Sequence, residues 1–191
     1  VFASSCMVYG TKMEKIKETD DFKPSTPYSS SKAAGDMYCY SYFKTYNLPI
    51  SIVRPFNVYG PRQMKDVNAL FITKALKNEE IKLEGGGLQT RDFTFVQDMI
   101  EAFLIMGMHE KAIGEAVNFG TGKDITIKEL AEKIVKYTDS NSQINIAPQR
   151  AGQDTKMCCD NSKAKMLFNW EPKISIDEGL KQTINWYKQN A

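Results

Sequence analysis

Two short apolar runs separated by one long helical pattern constrain this chain more than any other feature. The first run is VFASS at residues 1–5, and the second is PISIVRPF at 49–56. Between them Pro27 stands where a first helical residue is favoured, and YSSSKAAGDMYCYSYFKTYN continues at helical spacing until Asn47 and Pro49 stop it. Continuous apolar runs of this length suit parallel strands covered on both faces, and the order strand, helix, strand implies a right-handed crossover. The pattern predicts an α/β fold built on a doubly wound parallel sheet.

The alternation continues downstream. ALFITKALKN reads as a helix, IKLEGGGLQTRDFTFV as two short strands around a glycine turn, QDMIEAFLIMGMHE as a helix and EAVNFG as a strand. Thr126 with Glu129, and Ser175 with Glu178, have capping-box spacing and predict helices near 127–138 and 176–189. A dinucleotide fold presents a glycine-rich phosphate loop after its first strand, and G-x-G-x-x-G does not occur in these residues. The expectation is a chain that lacks the N-terminal strands of its fold.

Composition narrows the function. With 191 residues and 42% hydrophobic content the chain can bury a sizeable core, and 25 basic against 23 acidic residues, scattered, form neither a nucleic-acid face nor a polybasic membrane tail. No apolar run approaches the roughly 18 to 20 residues that span a bilayer. Cys6, Cys39, Cys158 and Cys159 show no CxxC spacing, and His109 is the only histidine, so neither a metal site nor a Ser-His-Asp triad is expected. Reduced thiols and a soluble, cytoplasmic protein follow as expectations.

Ligands of open parallel sheets bind beyond the carboxyl ends of the strands. That rule places Ser4, Ser5, Cys6 and Met7 after the first strand, and Asn57 and Tyr59 after the second, along one functional edge. Tyr28 and Lys32 are four residues apart, hence one turn apart on the same side of a helix. A fixed ammonium beside a phenol favours the phenolate, the form that acts as a general base.

The segments SSCMVYG, PYSSSK and RPFNVYGPR, in this order, resemble the extended short-chain dehydrogenase/reductase family, in particular its nucleotide-sugar epimerases and dehydratases. EGGGLQTRDFTFVQD and QRAGQDTKMCCDNSKAKMLFNWEP resemble later blocks of the same family, so the likeness covers essentially the whole chain. It implies the C-terminal part of a Rossmann-type NAD-binding domain, residues 1–60 and 92–122, with a small mixed α/β substrate lobe, residues 61–91 and 123–191. It also implies Tyr28 as the base, Lys32 as the residue that tunes it and holds the nicotinamide ribose, and Ser5 as the hydroxyl partner. Ser4, Pro55 and Phe56 would line the NAD site. Asn57, Arg91, Arg150 and Asp154 would hold a nucleotide-diphosphate hexose, and the helix that begins at Tyr28 would form a homodimer.

Members of this family begin by oxidising sugar C4 to a ketone. Dehydratases then need an acid pair just after the catalytic hydroxyl, where this chain has Cys6 and Met7. Met has no proton to exchange and an ordinary thiol is a poor donor at neutral pH. A 4-epimerase needs neither acid and is the expected activity. The RAGQD segment looks more like the dehydratase form, which keeps a 4,6-dehydratase as the alternative, and the missing glycine-rich loop raises a non-catalytic binding or assembly module. The remaining features have ordinary structural readings. His109 is expected at a helix end, Cys158 and Cys159 as packed thiols, EGGG as a turn, and Tyr38, Tyr40, Tyr42, Phe43 and Tyr46 as a buried helix face.

Overall fold

The computed structural model describes residues 1–149 and 154–190. Strands β1 (Phe2–Ala3), β2 (Ile52–Pro55) and β7 (Ala116–Phe119) form a parallel sheet in the order β1-β2-β7. The predicted crossover is α1 (Pro27–Tyr46). Thr26 caps it, accepting from Ser29 N at 3.1 Å while Ser29 Oγ accepts from Thr26 N at 2.9 Å. This reciprocal pair fixes where Pro27 starts the helix. Asn47 ends it in the left-handed conformation at φ 53°.

Adjacent residues of β2 point to opposite faces, and they divide the two helical layers. Val53 packs with Met99, Ala102 and Met106 of α3 (Val96–Met108), whereas Arg54 pairs with Asp36 of α1. Helices thus cover both faces of the sheet, as in a doubly wound fold. Among the described residues β1 is the outer strand of this sheet, with Phe2 half-buried and Ala3 exposed.

A second core lies around α2 (Val67–Leu76), α4 (Ile127–Thr138) and α6 (Ile176–Asn190), where Phe71, Ile72, Leu130, Ile134, Leu180 and Ile184 are buried together. The parallel pair β3 (Asn57–Tyr59) and β6 (Phe93–Phe95) feeds Tyr59, Phe93 and Phe95 into it. Thr126 and Ser175 accept from Glu129 N and Glu178 N at 3.0 and 3.2 Å, the capping predicted for α4 and α6.

The glycine turn stands between two short strands, as read, but these are not paired with each other: β4 (Ile81–Glu84) pairs in parallel with β9 (Ile144–Ala147), and β5 (Thr90–Arg91) pairs antiparallel with β8 (Ile125–Thr126). Gly85, Gly86 and Gly87 all take positive φ, which sends the chain from one small sheet to the other. The aromatic face of α1 is not buried, contrary to expectation, since Tyr38 and Tyr46 are 68% and 70% exposed. The helix meets the sheet through the small and polar stripe Ser29, Ala33 and Asp36, leaving its tyrosines outside. Helix α5 (Ser162–Phe168) packs Ala164 beside Phe119 of β7 and Trp170 under the three-stranded sheet.

Candidate active site

The carboxyl end of β1 gathers the predicted triplet. Ser4 and Ser5 are buried there, and Ser5 caps a 3-10 helix over Cys6–Tyr9, its Oγ accepting from Met7 N at 3.2 Å. The cap orients the hydroxyl at the strand end instead of letting it rotate in solvent. Lys32, in the second turn of α1, donates from Nζ to Ala3 O at 2.9 Å and lies 5.8 Å from the Tyr28 ring centroid. Tyr28 itself is 54% exposed, open to a ligand. One ammonium therefore links β1, the strand that leads into Ser5, to the first turn that carries Tyr28.

Cys6 does not share that openness. It packs with Val8, Tyr9, Phe56 and Cys159, and burial pushes its thiol up to about 12. A thiol held so high stays protonated at neutral pH and is a weak proton donor. The Phe56 ring is in the same core, at 1% exposure, while Pro55 ends β2 half-buried.

Among the described residues Ser4 Oγ and Asn57 Oδ1 are buried just beyond β1 and β2 without a hydrogen-bond partner, as are Thr90 Oγ1, both amide atoms of Asn68 and Asp154 Oδ2 and, away from these strand ends, Trp170 Nε1. A buried unsatisfied polar group costs about 1–3 kcal/mol, so such atoms at strand ends fit a polar cofactor and substrate. Ser4 at the end of β1 and Lys32 of α1, bonded to that strand, suit the hydroxyls of a dinucleotide, and Asn57 after β2 suits a polar substrate.

Arg91 and Asp154 come together, though not as an ion pair. Arg91 Nη2 donates to the main-chain carbonyl of Asp154 at 2.9 Å, and Asp154 Oδ1 accepts from Thr11 Oγ1 at 3.0 Å and, more distantly, from Ser25 Oγ at 3.5 Å. Asp154 also borders a cavity of about 230 Å³ with Gly85, Leu88, Gln89, Gln149 and Thr155. A larger one, about 390 Å³ between Phe93, Ile125, Pro172 and Ile176, is bordered by none of the candidate residues. Arg150 lies outside the described residues. Beside Arg91, Asp92 is fully buried and accepts from Thr121 N, Thr121 Oγ1, Gly122 N and Cys159 N. Burial raises its carboxyl against the pull of those donors.

Sequence reasoning missed the groups beneath the site. Arg54 and Asp36 form a buried ion pair at 2.7 Å, and Arg54 also donates to Tyr9. No periodic signal joins residues 36 and 54. His109 caps the end of α3 and rests edge-on against Phe168, as a helix-end residue should. Among the described residues no cluster of His, Cys, Asp or Glu could hold a metal, and no helix is long and apolar enough to cross a membrane.

The arrangement is matched by known proteins. The family model described as GDP-mannose 4,6 dehydratase matches residues 1–183. A dTDP-D-glucose 4,6-dehydratase of Homo sapiens is 35% identical over 100% of this chain and 56% of its own length. A UDP-glucuronate 4-epimerase of Thermodesulfobacterium geofontis is 35% identical over 100% of this chain and 59% of its own. The crystal structure of UDP-glucuronic acid 4-epimerase from Bacillus cereus, in complex with UDP-glucuronic acid and NAD, superposes with a TM-score of 0.94 at 30% identity, covering 99% of this chain and 61% of that one. The chain thus spans little more than half the length of the relatives it matches. With the doubly wound sheet, the Tyr28–Lys32 helix and these matches together, the chain belongs to the family described as GDP-mannose 4,6 dehydratase, among the nucleotide-sugar epimerases and dehydratases of the extended short-chain dehydrogenase/reductase type.

Proposed function

We propose that this chain carries the catalytic base of an NAD-dependent nucleotide-sugar 4-epimerase. The observation that carries the reading is the pair that follows Ser5: Cys6 is buried with its thiol raised to about 12, and Met7 has no exchangeable proton. Neither suits the acid–base work of eliminating water across C5 and C6.

In this reading the Tyr28 phenolate accepts the C4 hydroxyl proton, and the Ser5 hydroxyl shares that proton through a hydrogen bond. The Lys32 ammonium, anchored on Ala3 O, offsets the negative charge on the phenol oxygen and offers its remaining protons to ribose hydroxyls. NAD+ bound along the strand ends would supply the hydride acceptor for C4. Ser4, Pro55 and Phe56 border that position, with the Phe56 ring packed behind it. Asn57, Arg91, Arg150 and Asp154 hold the diphosphate and ribose of the substrate, a guanidinium fork matching phosphate oxygens. Once the keto sugar has turned over, the hydride held by the cofactor would go back to the other face of C4 while Tyr28 returns its proton to the C4 oxygen.

Exposed Met37, Tyr38, Tyr42 and Tyr46 on α1 support a homodimer through that helix, and four cysteines without a disulfide support the reducing cytoplasm. A 4,6-dehydratase is the second reading, favoured by the human dTDP-D-glucose 4,6-dehydratase and by the RAGQD segment.

The test incubates the whole protein with NAD+ and UDP-, GDP- and dTDP-hexoses and reads products by mass and NMR. An unchanged mass with inverted C4 supports the epimerase. Loss of one water supports the dehydratase, and binding without turnover supports a non-catalytic role.

A further inference from the structure

Asp36 follows Lys32 by four residues, on the same side of α1 and one turn deeper in the fold. It is fully buried, and its Oδ2 accepts from Arg54 Nε at 2.7 Å. Arg54, 6% exposed, belongs to β2, the strand that leads into Phe56 and Asn57. Its Nη1 donates to the Tyr9 hydroxyl at 2.6 Å, and that hydroxyl donates to Asn118 Oδ1 at 2.9 Å. Asn118 is the in-register neighbour of Arg54 on β7, and Tyr9 is the last residue of the 3-10 helix that Ser5 caps. The guanidinium also sits 5.3 and 4.8 Å from the ring centroids of Tyr9 and Phe22. One side chain on β2 therefore touches both segments that deliver the triplet: α1, which carries Tyr28 and Lys32, and the turn that Ser5 caps.

A buried ion pair seldom adds net stability over apolar packing, because desolvation offsets the attraction. What a guanidinium does add is a rigid fork whose N–H directions fix the angle between its partners. We propose that Arg54 is a positioning residue which, through Asp36 on one arm and Tyr9 on the other, sets the separation of Ser5 from the Tyr28–Lys32 pair. The proposal rests on the catalytic reading given above. The charged groups around the hub are Asp36 from α1, Arg54 from β2 and Glu18, whose Oε1 accepts from Asn118 N at 2.8 Å. Burial raises the Tyr9 hydroxyl, which stays protonated and so can both accept from Arg54 and donate to Asn118.

Tyr9→Phe removes only the bridging oxygen, and Arg54→Lys keeps the charge but cannot reach both partners. In the whole protein, each should lower kcat for C4 inversion of the nucleotide sugar by about tenfold to a hundredfold, leave KM within about twofold, and move the acidic limb of the kcat–pH profile. Hydrogen exchange should quicken together in residues 6–9 and 28–32. Folded variants with the parent's kcat and pH profile, or exchange that quickens only around residue 54, would overturn the proposal. If the parent turns over no nucleotide sugar, the functional reading fails, while the exchange comparison still decides whether Arg54 couples the two segments.

Discussion

The Lys32 ammonium bonds the Ala3 carbonyl at 2.9 Å and so ties α1 to β1, the strand that leads into Ser5. The same side chain stacks over the Phe2 ring, 5.6 Å from its centroid. Replacing Lys32 by Met should keep the alkyl packing and remove the charge. The expected outcome is a loss of about 10²-fold or more in kcat with little change in nucleotide-sugar affinity, and Tyr28→Phe should lose at least as much. Steady-state kinetics beside a binding titration of the whole protein checks both.

Gly35 permits the approach that makes this bond possible. A Cβ there would run into the Phe2 ring, whereas a Cβ on Gly107 of α3 would meet only a methyl of Val1 at 3.4 Å. Gly35→Ala should therefore destabilise the fold by about 1–3 kcal/mol through overpacking. Gly107→Ala, in ordinary contact within a helix, should be neutral or stabilising by up to about 1 kcal/mol. Denaturant midpoints of the two variants should move in opposite senses or differ by that margin.

Thr26 caps the helix turn that carries Tyr28. Thr26→Ala removes the oxygen that accepts from Ser29 N, leaving only the Thr26 backbone N–H on Ser29 Oγ, and should cost about 1 kcal/mol of stability. Because the first turn frays, kcat should fall while the affinity for nucleotide sugar is retained. Thr26→Ser, which restores the oxygen, should recover most of both.

The buried thiols give the protein an alkaline weakness. Burial raises Cys6 and Cys158 to about 12 from an ordinary value near 9.0. A thiol whose folded pKa exceeds its unfolded one contributes its full stability below about pH 9. That contribution is lost as pH rises toward about 12, because only the unfolded chain can ionise readily. The melting temperature should fall across that window, and less steeply in Cys6→Ala. Ellman's reagent near pH 8 should label half-buried Cys39 in the native protein and reach Cys6, Cys158 and Cys159 only on unfolding.

Much of the site was legible because its geometry is local. Pro27 and Asn47 delimit α1, and a spacing of four residues puts Tyr28 and Lys32 on one side of any helix, whatever surrounds it. The ends of α4 and α6 were read from capping residues for the same reason: a cap bonds a backbone group three residues away. The apolar runs likewise identified β2 and β7 and the parallel α/β order. What lay beyond reach depends on which distant segments meet. Asp36 finds Arg54 across 18 residues, Tyr9 finds Asn118 across 109, and Thr11 finds Asp154 across 143. The pairing of β4 with β9, and the outward turn of the α1 tyrosines, follow from how the helices and small sheets close on one another. Helices and caps are decided by hydrogen bonds within a few residues, so the sequence by itself determined them. Ion pairs, strand partners and buried faces are decided by which segments distant in the chain close on one another, which leaves no periodic trace, and only the tertiary structure could assign them.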